Sequence, residues 1–217
     1  MNLVLFDLDN TLLSGDTDVE WLEFLIEQKV LPPSAQQDNL EMDRRYRSGQ
    51  ANALEYVRFY LRFYPPHDME ALHAFRTRFM KERIEPRMLP AARKLIQEQK
   101  RHLVAIITAT NRFLTEPIAD AFGVEHLMAT EPQIVAGRFT GDIVGAPCMR
   151  DGKIEHLNKW LEGRGESLRD FAESSFYSDS INDLPLLERV THPVAVDPDP
   201  RLAEIARERG WRTLSLR

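Results

Sequence analysis

The sequence predicts an α/β fold: a doubly wound, mostly parallel sheet with a small inserted helical cap domain. Three observations carry this. The short apolar run Leu3-Val4-Leu5-Phe6 stops at Asp7, as a strand covered on both faces does. A long segment after Thr11 shows helical periodicity and no strand signal. From Pro86 onward, short β-leaning runs alternate with helical segments, the pattern of a parallel sheet.

Residues 16–29 place Val19, Leu22, Leu25 and Ile26 on one helical face, with Asp16 or Thr17 as N-cap and Glu20 spaced for a capping box. Pro32-Pro33 ends that helix, and a second covers 35–47. Ser48-Gly49-Gln50 precedes a third helix with the stripe Leu54, Val57, Tyr60 and Leu61, which Pro65-Pro66 stops. A fourth spans 68–83 with Leu72, Phe75 and Phe79 inward. These helices form the cap domain, residues 15–85, between two parts of the α/β core, 1–14 and 86–217.

In the core, Pro90 opens a helix over 91–101, and a strand follows over 102–108. A helix over 115–122 closes at Gly123. Residues 133–136 and 138–144 flank Gly137 as a hairpin, and a helix then carries Lys153. Strands at 174–177, 193–196 and 211–214 are separated by helical segments 184–189 and 200–209. Open α/β sheets do their chemistry at the carboxyl ends of strands, where this chain has Asp7, Thr108 and Ser178-Asp179. If the strand geometry continues, Asp7 and Asp9 point to the same side.

Four motifs occur in order: Asp7-Leu8-Asp9-Asn10-Thr11; the run 103–107 ending in Thr108; Lys153 opening a helix after the Thr140-Gly141-Asp142 hairpin; and Asp179-Ser180-Ile181-Asn182-Asp183. Together they resemble the haloacid-dehalogenase-like superfamily of aspartate-nucleophile phosphohydrolases, in its phosphoserine-phosphatase-like branch, whose core is Rossmann-like. The resemblance runs over nearly the whole chain. It implies that Asp7 is the nucleophile, forming an aspartyl-phosphate, and that Asp9 is the general acid and base. It implies that Thr108, Lys153 and Asn182 hold the phosphoryl oxygens. It also implies that Asp7, Asp9 through its main-chain carbonyl, and Asp179 bind metal, with Thr11 and Asp183 in support. The family pattern usually has Gly where this chain has Ser178, a change expected to be tolerated.

Singly, each of these residues has a plain structural alternative: a strand threonine, an exposed helix lysine, an N-cap pair. Their joint occurrence at strand ends favours chemistry. Three carboxylates converging on a phosphate dianion need a counter-ion, because like charges 4 Å apart repel by about 4 kcal/mol at an effective dielectric of 20. Oxygen-only ligands favour Mg²⁺. Zinc is disfavoured by the unpaired spacing of the six His and the single Cys.

In phosphoserine phosphatases an acid past the first motif and a cap arginine grip the amino acid. Asp16 stands near the first position and Tyr60 at the second, flanked by Arg58 and Arg62. This predicts an amine site, at Asp16 and Asp18, with the carboxylate fork lost. Histidinol phosphate is the candidate substrate. Phosphoserine is the alternative, if a neighbouring arginine such as Arg58 reaches in. A solvated helix face accounts for Arg44, Arg45 and Arg47.

A phosphotransferase using the same aspartyl-phosphate shares every catalytic residue. A receiver domain is disfavoured by the helical insertion and the fourth motif, and a non-catalytic binding protein by the filled roles. The net charge of −6, with scattered arginines, disfavours a nucleic-acid role, and none is expected. At 217 residues, 43% hydrophobic and 29% charged, the composition is that of an ordinary globular enzyme. Cys148, alone, allows no internal disulfide and fits a reducing compartment. No run reaches about 18 apolar residues and the N-terminal run lacks a basic flank, which predicts a cytoplasmic chain that spans no membrane. The partner expected is a small phosphomonoester. Oligomeric state is not legible.

Overall fold

Strand β1 (Leu3–Phe6) lies at the middle of a six-stranded sheet in the computed structural model, which describes residues 1–64 and 66–217. Helices α1 (Thr17–Glu27), α2 (Ser34–Arg47), α3 (Ala53–Leu61) and α4 (Met69–Phe79) follow it. A π-helical turn, Met80–Ile84, and a tighter turn, Glu85–Arg87, lead into α5 (Pro90–Glu98) and β2 (Leu103–Asn111). Next come α6 (Arg112–Phe122), β3 (His126–Thr130), β4 (Pro132–Val135), β5 (Arg138–Ile143) and α7 (Asp151–Glu162). The chain closes with β6 (Ser174–Ser178), α8 (Leu184–Leu187), β7 (His192–Val196), α9 (Pro200–Arg209) and β8 (Arg212–Leu214).

The sheet order is β3-β2-β1-β6-β7-β8, with every pair parallel. The chain leaves β1 toward β2 and β3, then returns to β1's other side with β6, so the switch point lies between β1 and β6. That is where a doubly wound sheet opens a crevice at its carboxyl ends. Strands β4 and β5 form a separate antiparallel hairpin.

Alternation along β1 builds two cores. Val4 and Phe6 pack with α1, α3, α5 and α6 through Trp21, Leu22, Phe24, Val57, Ile96 and Leu114. Leu3 and Leu5 face the other way, against Leu157 and Leu161 of α7, Leu186 of α8 and Leu202 of α9. The inserted helices therefore share a core with the sheet. Trp21 sits edge-on to Phe79 at 5.0 Å and reaches Phe113 of α6 at 6.5 Å. Where the insertion leaves and rejoins the core, the two passes of chain pair: Leu13 bridges Met88, and the Ser14 amide donates to the Arg87 carbonyl at 2.9 Å.

Several expectations need correction. Strand β3 is an addition: His126-Leu127-Met128-Ala129-Thr130 is mostly made of helix formers, and pairing with β2 overrides that propensity. β2 runs three residues past Thr108, with a register shift between Thr108 and Asn111. α6 accordingly starts at Arg112, capped by Asn111. The fourth helix stays regular only to Phe79, because Pro86 cannot continue an α ladder and the chain loosens into the two turns before it. Glu20 completes no capping box. Asp16 alone caps α1, through the Val19 amide at 3.0 Å, while Glu20 binds Arg87 at 2.6 Å. The box occurs instead at Asn52 and Glu55 of α3. Pro65, half of the expected Pro65-Pro66 stop, lies outside the described residues. Among the described residues no helix is long and apolar enough to cross a membrane.

Candidate active site

Asp7 lies one residue past the last β1–β2 pair, Phe6 with Ile106, and its amide donates to the Tyr177 carbonyl of β6 at 2.9 Å. Its carboxylate is thereby fixed over the switch point. Lys153, in the first turn of α7, places Nζ 2.7 Å from Asp7 Oδ1 and 2.7 Å from Asp183 Oδ2. All three residues are buried. The Thr11 hydroxyl lies 3.0 Å from Asp179 Oδ1 and 3.4 Å from Asp7 Oδ2, and it accepts the Asp179 amide at 3.1 Å. One small side chain thus holds the acids of the first and fourth motifs together.

Asp9 is gripped from two sides. The Thr17 amide donates to Oδ1 at 2.8 Å, the Thr17 hydroxyl donates to the same oxygen, and the Thr110 hydroxyl donates to Oδ2 at 2.7 Å. Thr108, buried at the end of the regular β2 pairing, accepts the Thr110 amide at 3.3 Å, which leaves its hydroxyl proton free to donate.

Burial dominates the electrostatics. It raises Asp7 to about 7, against the lowering pull of Lys153. It raises Asp179 to about 8, with Asp7 and Asp183 adding repulsion. Asp9 reaches about 6, from burial and the nearby Asp16, while its donors Thr17 and Thr110 hold it down. Burial also pulls Lys153 toward neutrality, but Asp183 and Asp7 outweigh it and keep the ammonium charged. A carboxylate poised near neutrality is suited to exchange protons in both directions.

The donor set fits a magnesium ion. Asp7 and Asp179 share one hydroxyl, are both destabilised as anions by burial, Asp179 further by Asp7, and offer only oxygen. Among the described residues no three His, Cys, Asp or Glu side chains converge as metal ligands. Two carboxylates offering only oxygen, completed by water, match the habit of Mg²⁺ rather than a protein cage.

The substrate-side residues divide. Asp16 and Asp18 are close enough to Asp9 and to each other for their charges to interact, and burial raises both. Asp18 lies 3.4 Å from the Thr110 hydroxyl. Arg58 is not brought to this cluster. It is exposed on α3 and bound through two nitrogens to Asp142 of the hairpin, at 2.9 and 2.8 Å. Arg62 turns away as well, to Asp38 at 2.9 Å. Tyr60 is buried, its hydroxyl donating to Asn39 at 2.7 Å.

Sequence reasoning read Thr17 only as a helix cap and Ser178 only as a tolerated strand-end departure, and it missed Thr110. Ser178 is more than a tolerated departure: its hydroxyl donates to Asp183 Oδ2 at 2.7 Å, giving the Lys153 partner a second donor. It also missed Arg150 and Tyr46, which meet Asn182 beside the fourth motif: the Arg150 Nε donates to the Tyr46 hydroxyl at 2.7 Å and lies 3.2 Å from Asn182 Oδ1. The strand-end pattern Thr108-x-Thr110 was the available signal for Thr110, since alternate residues share a face.

Comparison with known proteins follows the same lines. The model of the haloacid dehalogenase-like hydrolase family matches residues 4–188. A histidinol-phosphatase of Neisseria meningitidis is 37% identical over 223 residues, spanning 100% of this chain and 99% of that protein. A Mycobacterium tuberculosis phosphoserine phosphatase is 30% identical, over 98% of this chain and 70% of its own length. A crystal structure from Bordetella pertussis, of a protein of unknown function, superposes with a TM-score of 0.95 at 44% identity, over 100% of this chain and 99% of that one.

Proposed function

This chain belongs to the haloacid dehalogenase-like hydrolase family and is a phosphatase, and we propose that it is a Mg²⁺-dependent phosphomonoesterase for a small amine-bearing metabolite without a carboxylate, histidinol phosphate being the best candidate. The observation that carries the substrate assignment is the half-buried pair Asp16 and Asp18, whose carboxyls desolvation and repulsion among neighbouring acids raise, with Arg58 and Arg62 engaged elsewhere. Clustered, partly desolvated carboxylates favour an ammonium or imidazolium group, while a carboxylate would meet repulsion and no guanidinium fork. The name of the Neisseria relative agrees with this reading.

In the mechanism, Thr108, Lys153 and Asn182 hold the phosphoryl oxygens in line with Asp7. The carboxylate of Asp7 attacks phosphorus and forms the aspartyl-phosphate as the bond to the leaving oxygen breaks. Asp9 gives its proton to that oxygen, and the alcohol departs. Asp9, now a carboxylate, takes a proton from water as the water attacks phosphorus, and Asp7 and inorganic phosphate are released. Asp7, Asp179 and the Asp9 carbonyl would hold Mg²⁺, which when bound neutralises charge on the phosphoryl group. Thr11 and Asp183 keep Asp7, Asp179 and Lys153 in register. Residues 1–14 and 86–217 act as the core and 15–85 as the cap, the two passes of chain between them pairing at Leu13 and Met88.

The test is phosphate release from histidinol phosphate, phosphoserine, sugar phosphates and p-nitrophenyl phosphate, each with Mg²⁺ and with EDTA. Release that requires Mg²⁺ and favours histidinol phosphate supports the proposal. Release unaffected by EDTA rejects the metal role, and a sugar phosphate as favourite rejects the amine site.

A further inference from the structure

Arg150 holds a backbone conformation that L residues rarely adopt, φ 53° and ψ −125°. The turn around it is tight. The Gly152 amide closes on the Met149 carbonyl at 2.9 Å, and a Cβ on Gly152 would meet the Pro147 carbonyl oxygen at 2.0 Å. Glycine is the residue suited to position 150, and a long cation occupies it instead.

The strained turn places the guanidinium between cap and core. Its carbon lies 4.8 Å from the centre of the Tyr46 ring of α2, and its Nε reaches the Tyr46 hydroxyl and Asn182 Oδ1. A guanidinium has no acceptor, so the Asn182 carboxamide must present its oxygen to Arg150. The Tyr46 hydroxyl, 3.5 Å from the same oxygen, reinforces that orientation. Among the described residues, Asn182 Nδ2 donates to no protein acceptor.

We propose that Arg150 is a positioning residue that locks the Asn182 carboxamide with Nδ2 available to the phosphoryl group, and does so while Tyr46 of the cap is seated against it. The grip on phosphate is thereby linked to the seating of α2. This rests on the phosphatase reading above, in which Asn182 is a phosphate donor. Strain retained at this turn is accounted for by the orientation it enforces.

The experiment compares Arg150→Gly, Asn182→Ala and the double variant with the wild-type chain, using p-nitrophenyl phosphate with Mg²⁺, and records melting temperatures. Glycine relieves the backbone, so the Arg150→Gly melting temperature is expected at or above that of the wild type. Its kcat/KM falls about tenfold, mostly through KM, as expected for a lost charge-assisted hydrogen bond. The double variant is no worse than Asn182→Ala alone. Arg150→Lys, which keeps a donor without the planar fork, recovers part of the loss. An Arg150→Gly chain with unchanged KM overturns the proposal, as do losses that multiply in the double variant. A wild-type chain that hydrolyses none of the four esters rejects the phosphatase reading itself, a separate result that needs no variant.

Discussion

The Thr110 hydroxyl donates to Asp9 Oδ2 at 2.7 Å, tying the end of β2 to the acid after β1 across 101 residues of sequence. With the two Thr17 donors it favours the charged form of a carboxylate that burial pushes up to about 6. Thr110→Val removes one donor and keeps the shape. The prediction is that the pH optimum of p-nitrophenyl phosphate hydrolysis moves upward and kcat falls about tenfold, within the range for proton-transfer groups. A pH–rate profile superimposable on the wild type rejects this role.

Asp7→Asn is predicted to abolish turnover and preserve the fold. Asp7 is held by Lys153 and a main-chain bond to Tyr177, and an amide keeps the shape of the side chain. Asp9→Asn should slow turnover by about 10²–10⁴ and let phospho-enzyme accumulate. Intact-mass measurement after mixing with substrate reads both. Turnover of Asp7→Asn above a hundredth of wild type removes Asp7 as nucleophile.

Stability without metal should fall as pH rises. Burial holds Asp9 at about 6, Asp7 at about 7 and Asp179 at about 8, all above the ordinary 3.8. The folded chain then binds these protons more tightly than the unfolded chain, so the stability they contribute is complete below about pH 4 and is lost as pH rises through about 6 to 8. Melting temperature in EDTA is predicted to drop between about pH 5 and pH 8, and saturating Mg²⁺ to reduce the drop. Asp179→Asn should raise the EDTA melting temperature at pH 8 by about 2–4 °C, equivalent to roughly 1 kcal/mol. A flat or rising profile in EDTA contradicts the electrostatics described.

Lys153→Ala leaves Asp7 and Asp183 buried without their cation, at 2.7 Å from each in the intact site. Loss of one partner from such a buried cluster costs about 3–5 kcal/mol. Ser178→Gly removes only a hydroxyl donor from Asp183 and should cost about 0.5–1.5 kcal/mol. Urea unfolding ranks the two, and equal costs would show that Lys153 is not the cation holding the cluster.

Asp16 has a double duty that one substitution separates. Its Oδ1 caps α1, and its charge acts on the neighbouring acids Asp9 and Asp18. Asn caps as well as Asp, so Asp16→Asn should keep the melting temperature and raise KM for an amine-bearing ester about tenfold, leaving p-nitrophenyl phosphate unaffected. Arg58→Ala, by contrast, breaks only an exposed, solvent-screened ion pair with Asp142 and should leave the substrate spectrum unchanged. A changed spectrum for Arg58→Ala returns that residue to the site.

Much of this was local enough to read in sequence. An apolar run ending in Asp7, Lys153 opening a helix and Asp179 to Asp183 past another strand are patterns of neighbouring residues, and strand ends are where a doubly wound sheet collects its chemistry. The residues that tune those groups were not local. Thr110 reaches Asp9 across 101 residues and Arg150 reaches Tyr46 across 104: the Thr108-x-Thr110 spacing puts Thr110 on the site's face without naming its partner, and no spacing encodes the second meeting. β3 was hidden because helix-forming residues make a strand only when β2 is beside them. Whether Arg58 reaches the site was not legible for the same reason: its partner Asp142 belongs to a hairpin 84 residues away.

The most direct measurement is kcat/KM for histidinol phosphate and phosphoserine on one preparation with saturating Mg²⁺. Asp16 and Asp18, without a guanidinium turned toward them, predict a preference of at least about tenfold for histidinol phosphate, the equivalent of roughly 1.4 kcal/mol of discrimination. Equal values, or a preference for phosphoserine, would contradict the assignment of this pocket to an amine without a carboxylate.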